Sequence, residues 1–235
     1  MICSSLARYH TARLPQPGSI IASSHTSPID SLYLAAIFDP IFTSSYPSTR
    51  YVHQISLFQA ILRAFSYPQY DPPSTAKLVD LHHLMRQNPN RVIAVFPECT
   101  TTNGRGILPF SGSLLTAPPS AKIFPLSLRY TPADITTPVP NTYLAFLWNL
   151  LSKPTHCIRV RIAESVYNTT QSDDTASSTD TLLESAEGEA STLAERKVLD
   201  GIAEALARLG RVKRVGLGVR DKIGFVKAWS KSRSR

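Results

Sequence analysis

The fold follows from one short stretch, Ser24-His25-Thr26-Ser27-Pro28-Ile29-Asp30, which lies between two apolar segments. The segment before it, residues 20–23, has the length of a buried strand, and the segment after it, residues 32–38, has that of a helix. A polar turn between a strand and a helix is a repeating unit of α/β proteins. The stretch therefore predicts a strand, a turn with polar side chains, and a helix.

The residue types mark where this helix begins. Ser27 fits the N-cap, Pro28 the first helical position, and Asp30 the capping-box position whose carboxylate accepts from the N-cap N–H. The apolar positions continue to Phe38, where we expect the helix to end. His25 is therefore predicted just outside the helix N-terminus, with Asp30 one turn away.

A second strand leads into a second polar turn. Residues 91–96 are apolar and β-rich, which predicts a central strand, and Glu98 follows shortly after. Residues 99–105, Cys-Thr-Thr-Thr-Asn-Gly-Arg, offer donors that suit an anionic oxygen or a phosphate. Open α/β sheets bind their ligands at the carboxyl ends of strands. We therefore expect the turns at His25 and Glu98 to meet.

The composition fits one α/β domain with appendages. Strands alternate with helices through residues 18–167, which predicts a single domain whose mostly parallel sheet is flanked by helices. Residues 1–17 predict an irregular N-terminal segment. Residues 168–192 are rich in Ser, Thr, Asp and Glu and predict a disordered linker, and residues 193–235 predict an amphipathic helix and a basic tail.

Within the domain, helical spacing predicts helices over residues 51–65 and 75–87. Residues 123–128 predict a further strand. Residues 157–162 alternate apolar and arginine side chains, which predicts an edge strand with one solvated face. Residues 143–151 are apolar and aromatic, and predict a short helix that belongs either to the core or to an interface.

The net charge of +8 lies almost entirely at the C-terminus. Residues 196–235 hold twelve Lys and Arg against three acidic residues, whereas the other 195 residues hold thirteen against fourteen. A basic tail suits an anionic membrane surface or nucleic acid. The chain has no nucleic-acid recognition motif, so we expect no nucleic-acid partner. A solvated end without a partner is the alternative.

The sequence argues against several other classes of protein. No apolar run reaches the roughly 18 residues that a spanning helix needs, and the N-terminus lacks a secretory signal pattern. The three cysteines show no CxxC or Cys/His ligand spacing; they are Cys3, Cys99 and Cys157. The chain is therefore predicted to have neither a disulfide scaffold nor a metal site, and it fits a reducing compartment.

The first turn has the residue types of a base and an orienting carboxylate. A neutral imidazole accepts protons near pH 7, and a carboxylate can fix its tautomer and stabilise the imidazolium. His25 and Asp30 could form such a pair and deprotonate a substrate hydroxyl directly. Ser24 and Ser27 are disfavoured as nucleophiles, since neither lies in a G-x-S-x-G elbow. Alternatively, Asp30 only caps the helix and His25 is a loop residue.

Two blocks together carry a family resemblance. The chain reads His25-x4-Asp30 and, about 70 residues later, Phe96-Pro97-Glu98-x-Thr100. They resemble the NHxxxxD and FPEGT blocks of the glycerophospholipid acyltransferase family of the lysophosphatidic acid type. The likeness spans roughly residues 18–165 and continues in Leu108-Pro109-Phe110, Gly112 and Ile123-Phe124-Pro125-Leu126. The Thr-Thr-Asn-Gly-Arg-Gly loop and the basic C-terminal segment resemble a fungal branch that acylates lysophosphatidic acid from acyl-CoA at the endoplasmic reticulum and lipid droplets.

The resemblance implies an enzyme that moves a fatty acyl group from acyl-CoA, its co-substrate, to the free hydroxyl of a lysophospholipid, without a cofactor, metal or acyl-enzyme. His25 would be the general base and Asp30 would orient it. Glu98 and Thr100 would help to bind the glycerol-phosphate acceptor, and Pro125 would belong to an acyl-donor or structural block. The predicted substrate-binding residues are Glu98, Thr100, Thr101, Asn103, Gly104, Arg105 and Pro125.

Three departures from the family pattern matter. Ser24 stands where the family often has Asn. Cys99 replaces the glycine of FPEGT, and a Cβ there costs about 1 kcal/mol or more if the position needs a positive φ. The second block, with its phosphate-binding arginine, is not visible, since neither Arg63 nor residues 66–69 match it. Arg105 is our candidate for the missing charge.

The resemblance also bears on the membrane. The family commonly carries N-terminal membrane helices, whereas 24 residues precede His25 here. We expect either a longer protein or peripheral attachment through residues 143–151 and the basic segment 211–235, at the cytoplasmic face of the endoplasmic reticulum or of lipid droplets. A non-catalytic lipid-binding or trafficking protein is the alternative, which the missing second block and Cys99 favour.

Overall fold

The computed structural model describes residues 14–169 and 184–233. The helices are α1 (Pro28–Phe38), α2 (Leu57–Arg63), α3 (Leu81–Gln87), α4 (Tyr143–Leu151), α5 (Glu184–Gly210) and α6 (Val219–Arg233). The strands are β1 (Ile20–Ser23), β2 (Ile41–Ser44), β3 (Val52–Ile55), β4 (Leu78–Val79), β5 (Ile93–Val95), β6 (Gly106–Ile107), β7 (Lys122–Thr131), β8 (Cys157–Ile162), β9 (Val166–Tyr167) and β10 (Lys213–Arg214). Two short 3-10 helices span Gly112–Thr116 and Ala133–Ile135.

Eight of these strands form one mixed sheet in the order β4-β3-β2-β5-β1-β7-β8, and β9 also pairs with β7. The four central strands, β2, β5, β1 and β7, are parallel, and the outer strands pair antiparallel. β6 and β10 form a separate parallel pair. Since β1 and β5 are parallel neighbours, with Ala22 opposite Val95, their carboxyl ends open onto the same edge of the sheet.

Helices cover both faces of this sheet. Successive side chains of a strand point to opposite faces, so Ile20 and Ala22 face one layer and Ile21 the other. The first layer contains α3, α5 and a 3-10 helix, with buried side chains that include Leu81, Leu84, Leu114, Val198 and Ile202. The second contains α1 and α2, with Leu34 and Ala60 buried. The predicted fold, an α/β domain with a mostly parallel sheet between helices, is confirmed.

Most of the predicted elements are confirmed. β1 spans the predicted residues, and α1 begins at Pro28 with Ser27 as its N-cap and a capping box to Asp30. The strands predicted at residues 91–96 and 123–128 correspond to β5 and β7. β8 lies at the edge of the sheet, as its alternating pattern predicts.

Two predicted helices are wrong in their first halves. Residues 51–65 contain β3 and then α2, because Val52 is buried in the sheet and Ser56 caps a new helix. Residues 75–87 contain β4, which pairs with β3, and then α3, whose N-cap is Asp80. In both cases a short strand replaces the predicted first turns of the helix.

The C-terminal part of the chain is folded where the structure describes it. α5 begins at Glu184, within residues 168–192, for which the sequence predicts a linker. Asn168 is buried, and its amide donates to the carbonyls of Leu115 and Ala117. Three stretches lie outside the described residues: 1–13, 170–183 and 234–235.

Much of the predicted basic tail is an integral part of the fold. α5 packs on the sheet through buried Ile202. Arg129 and Arg161 of the sheet donate to the carbonyls of Gly210 and Leu209, each at 2.7 Å. β10 and α6 then follow within the segment for which the sequence predicts a basic tail. Over the described ranges, no helix is both long enough and apolar enough to cross a bilayer.

Candidate active site

The two polar turns meet at the carboxyl ends of β1 and β5. The Thr102 N–H donates a hydrogen bond to the His25 carbonyl at 2.8 Å. The His25 imidazole stacks on the Phe96 ring, with 4.4 Å between the ring centroids and 25° between the planes. The parallel pairing of β1 and β5 brings together the residues that follow them, as the sequence predicts.

Asp30 is buried and holds the turn that carries His25. Its Oδ2 accepts from the backbone N–H of Thr26 at 2.6 Å and of Ser27 at 2.9 Å. Its Oδ1 accepts from the Tyr130 hydroxyl. Within the part of the chain that the structure describes, none of the hydrogen bonds to Asp30 comes from His25. Asp30 therefore fixes His25 through the backbone between them, and a direct orienting contact stays a prediction.

The protonation states of this pair suit proton transfer. Burial, followed by the positive charges of Arg63 and Lys222, lowers the pKa of His25 to about 3. Burial raises the pKa of Asp30 to about 6 against the opposing effect of its hydrogen bonds, so the carboxylate is ionised at pH 7. His25 Nε2 is buried and has no hydrogen-bond partner among the described residues. A neutral imidazole with a free nitrogen can accept a proton from a bound hydroxyl.

A small cleft opens at the His25 side chain. Thr100 and Arg63 also line it, together with Ser44, a buried residue whose hydroxyl has no partner in the described part of the chain. The cleft thus combines a proton acceptor, hydroxyls and a cation. Such a set suits a ligand that carries both a free hydroxyl and an anionic group.

Arg63 supplies the cation of this cleft, although no family arginine is visible in the sequence. It ends α2, and its guanidinium lies 4.7 Å from the centroid of the Tyr46 ring and donates to the Gln69 side chain at 3.3 Å. Arg105, the candidate from the sequence, lines a different cleft. The sequence alone does not favour Arg63, because its neighbours do not match the family block.

The structure divides the predicted substrate-binding residues among several places. Thr100 lines the His25 cleft. Thr101 lines a mostly apolar groove beside α6. Residues 103–105 line a separate cleft. Pro125 lies inside β7, opposite Ala22 of β1, and so belongs to the sheet and not to either turn.

Glu98 is buried at the start of the second turn. Its Oε2 accepts from the Leu108 N–H at 2.9 Å, which closes the loop on itself. Its Oε1 has no partner in the ranges that the structure describes. Burial raises the pKa of Glu98 to about 8, although that hydrogen bond and the charge of Lys222 oppose the rise. Glu98 is therefore mostly protonated at pH 7 and can donate as well as accept a hydrogen bond.

Cys99 occupies a left-handed backbone position, with a φ of 59°. The glycine of the family block suits such a conformation, whereas a Cβ costs roughly 1–2 kcal/mol there. Burial raises the pKa of the Cys99 thiol to about 11, so it is not a thiolate nucleophile at neutral pH. His, Cys, Asp and Glu side chains of the described residues form no group of three that could hold a metal ion.

One residue of the site comes from the C-terminal helix. The Lys222 ammonium donates to the Thr100 hydroxyl at 2.8 Å and to the Thr101 hydroxyl at 3.0 Å, and it also bonds the Thr101 carbonyl. The sequence predicts Lys222 only as part of a basic tail. No local pattern could have shown its role, because 122 residues separate it from Thr100.

Two comparisons connect this site with known proteins. A protein of Schizosaccharomyces pombe with the provisional name lysophosphatidic acid:oleoyl-CoA acyltransferase is 31% identical over 221 residues. The matched region is 92% of this chain and 64% of that protein, so the chain spans a little less than two thirds of the relative's length. The sequence profile of the Acyltransferase family matches residues 7–129, just over half of the chain, and this range includes both turns of the site. The chain therefore belongs to the Acyltransferase family.

Proposed function

We propose that this chain transfers a fatty acyl group from acyl-CoA to the free hydroxyl of a lysophospholipid, and that lysophosphatidic acid is the acceptor. The observation that carries the proposal is the buried His25 Nε2, which lacks a partner among the described residues and lies in a cleft shared with Arg63. This acceptor needs a base for its hydroxyl and a cation for its phosphate. Family membership and the name of the fungal relative support the same reaction.

The proposed reaction is a direct transfer between the two substrates. The acceptor hydroxyl attacks the thioester carbonyl of acyl-CoA while its proton passes to His25 Nε2. A C–O bond forms and the C–S bond breaks. The imidazolium then gives its proton to the departing thiolate, so CoA leaves as the thiol and His25 is restored. No residue of the enzyme is acylated.

The acceptor phosphate would also tune the base. The charge of Arg63 contributes to the low pKa of His25, and a low pKa makes a weak base. A phosphate bound to Arg63 offsets that charge, so the pKa of His25 rises when the acceptor binds. His25 is then a stronger base in the complex with the acceptor, where the proton is transferred.

Asp30, Glu98 and Thr100 complete the proposal. The Asp30 carboxylate holds the backbone after His25, and its negative charge favours the imidazolium that forms during transfer. Glu98 has a carboxyl oxygen without a hydrogen-bond partner among the described residues and lines a neighbouring cleft, which shares Cys99 with the His25 cleft that Thr100 lines. We assign Glu98 and Thr100 to hydrogen bonds with the glycerol-phosphate part of the acceptor.

We also propose that the chain attaches to a membrane surface through α4 and α6. α4 turns Leu144, Trp148 and Leu151 outward on one face, with exposed fractions of 83%, 75% and 73%. α6 exposes Phe225 and Trp229 among basic residues. An outward apolar face next to cations is typical of helices that lie in the membrane interface.

The reaction is tested by CoA release from oleoyl-CoA on addition of lysophosphatidic acid, together with detection of phosphatidic acid. We expect acceptor-dependent release by the wild type and a fall of about a hundredfold or more in His25→Ala, since a general base contributes roughly 10²–10⁴-fold. His82→Ala is the matched control, because His82 is exposed on α3 and outside the site.

Two results would contradict the proposed reaction. One is a wild type that releases no CoA in response to the acceptor, and the other is an undiminished rate in His25→Ala. Binding of lysophosphatidic acid without turnover, measured by calorimetry, would instead support the alternative of a non-catalytic lipid-binding protein.

A further inference from the structure

The start of α6 is fixed against a loop that borders the His25 cleft. The Gly218 N–H donates to the Asp221 carboxylate at 2.7 Å, next to the first residue of the helix. The Arg220 guanidinium lies 4.2 Å from the centroid of the Tyr70 ring. Tyr70 directly follows residues 66–69, which line the cleft. α6 is therefore anchored to one wall of the candidate site.

Lys222, in the first turn of α6, contacts a second loop, which contains Thr100 and Thr101. Three oxygens surround its ammonium: the Thr100 hydroxyl at 2.8 Å, the Thr101 hydroxyl at 3.0 Å and the Thr101 carbonyl. An ammonium has three N–H groups, so these acceptors can occupy all of them. The same loop carries Glu98 and donates to the His25 carbonyl. Lys222 thus ties α6 to the loop whose Thr102 N–H bonds the carbonyl of His25, the proposed base.

The charge of Lys222 lies where it is costly. Burial lowers the pKa of Lys222 to about 8, against attraction by Glu98. An apolar side chain would pack a helix against a loop without this desolvation penalty. The hydrogen bonds from the ammonium to the threonine oxygens offset this penalty. One of these residues, Thr100, lines the same cleft as His25.

We propose that α6 is part of the acyl-transfer site and that Lys222 is a positioning residue that fixes the Thr100–Thr101 backbone around the acceptor. The inference rests on the proposed function. Since its N–H groups are occupied, Lys222 acts through Thr100 and not by contact with the substrate. Loss of the ammonium frees the loop, which weakens binding of the acceptor more than binding of acyl-CoA.

The test uses the full chain with the substitutions Lys222→Met and Lys227→Met. Both remove one positive charge from α6, but Lys227 is exposed, so any shared loss of membrane affinity cancels in the comparison. Rates are measured with oleoyl-CoA and lysophosphatidic acid in detergent micelles. Relative to Lys227→Met, we expect Lys222→Met to raise the KM for lysophosphatidic acid roughly tenfold to a hundredfold. The KM for oleoyl-CoA should stay within about twofold.

A double-mutant cycle then asks whether Lys222 acts through Thr100. Thr100→Val removes one of the acceptors, so the double variant should have about the KM of the worse single variant if the two residues form one functional contact. Lys222→Arg keeps the charge and the donors, and should recover part of the loss. Equal melting temperatures of Lys222→Met and Lys227→Met show that the fold is intact. Lys222→Gln replaces Lys222→Met if the latter does not fold.

The outcomes separate this inference from the proposed function. A wild type without acyl transfer contradicts the proposed function. An active wild type with equal KM values in Lys222→Met and Lys227→Met overturns the role of Lys222 alone. The role is also overturned by additive effects in the cycle, or by an equal rise of both KM values, because either result indicates a general loosening of the site.

Discussion

Arg63 and Arg105 are both cations near the predicted base, but their surroundings differ. Arg63 lies in the His25 cleft and is held by Tyr46 and Gln69. Arg105 lines a separate cleft and is exposed. A guanidinium that is already held in place loses less conformational entropy when it binds a phosphate. The proposed phosphate contact is therefore placed at Arg63.

Arg63→Met should raise the KM for lysophosphatidic acid roughly tenfold to a hundredfold, because a charged hydrogen-bond contact with the phosphate is lost. Arg105→Met, the matched control, should change this KM by less than about threefold. Initial rates at varied acceptor concentration measure both values. A larger effect of Arg105→Met would return the phosphate contact to the loop that the sequence predicts.

Cys99 leads to a prediction about stability. Cys99→Gly relieves the left-handed backbone but removes a buried side chain, so the free energy of unfolding should change by less than about 1 kcal/mol. Cys99→Val adds a β-branched side chain at the same φ and should lower it by about 2 kcal/mol or more. Urea denaturation measures both, with Cys157→Val on the exposed side of β8 as a control. Equal free energies of unfolding for Cys99→Gly and Cys99→Val would contradict backbone strain at this position.

At the scale of elements, sequence patterns predict best where the signals are local. The strand, turn and cap around His25 lie within a dozen residues, and the structure has them as predicted. The two errors share a cause: β3 and β4 have four and two residues, too short for their pattern to be told from a helix. A signal was nevertheless present, since Ser56 with Gln59 forms a capping box and Asp80 is an N-cap.

The outward face of α4 predicts how the chain binds lipid vesicles. Replacing Leu144 and Trp148 together by Gln should lower affinity for vesicles of phosphatidylcholine and phosphatidylserine at least about tenfold, because two large apolar side chains no longer enter the interface. Phe58→Gln on α2 is the control, since Phe58 is 67% exposed on another helix. Flotation measures the bound fraction. Equal binding of the double variant and the wild type would rule out α4 as a contact.

The contribution of α6 to vesicle binding should be measured with point substitutions and not with a truncated chain. Ile202 and Leu206 of α5 are fully buried. Removal of residues 196–235 would take both out of the core together with α6. Such a deletion would report on folding, whereas changes at Phe225 or Trp229 would leave the core in place.

At the scale of the whole molecule, the sequence predicts a domain and a separate basic tail. In the structure, α5 and α6 of this tail pack against the domain. The composition of residues 168–192 predicts a linker, and the residues after them carry most of the net positive charge. Composition does not show that α5 completes one face of the core, or that Lys222 reaches Thr100 from 122 residues away. A single sequence carries no local signal for such contacts. In contrast, His25, the predicted base, and Asp30, the capping-box residue of α1, lie five residues apart, so a local pattern predicts both.

The buried groups of the site give the whole chain a pH-dependent stability. A carboxyl whose pKa is raised on folding stabilises the fold at low pH and loses that contribution as the pH rises through its folded pKa. For Glu98 the window runs from 4.5 to about 8, and for Asp30 from 3.8 to about 6. His25, with a lowered pKa, acts in the opposite direction from about 3 to 6.5. Between pH 6.5 and pH 8 Glu98 contributes the largest change, and it is opposed in part by the end of the His25 change and by the start of that of Lys222, whose pKa is lowered to about 8.

We therefore expect the free energy of unfolding to fall between pH 6.5 and pH 8, and Glu98→Gln to remove most of that fall. The glutamine carbonyl can still accept from the Leu108 N–H. Urea denaturation at the two pH values measures the difference. Glu164→Gln, an exposed carboxylate replaced in the same way, should leave the fall unchanged. A fall of the same size in Glu98→Gln would contradict the assignment.

The hydrogen bonds of Asp30 allow charge and shape to be separated at this position. Its partners are the backbone N–H groups of Thr26 and Ser27 and the hydroxyls of Thr26 and Tyr130. A backbone N–H can only donate, but a hydroxyl can also accept. In Asp30→Asn the amide carbonyl can stay with the backbone while the NH2 group turns to the Tyr130 oxygen, which reverses its role. The substitution would keep the helix cap and remove only the negative charge, and so distinguish a carboxylate that serves catalysis from one that only caps a helix.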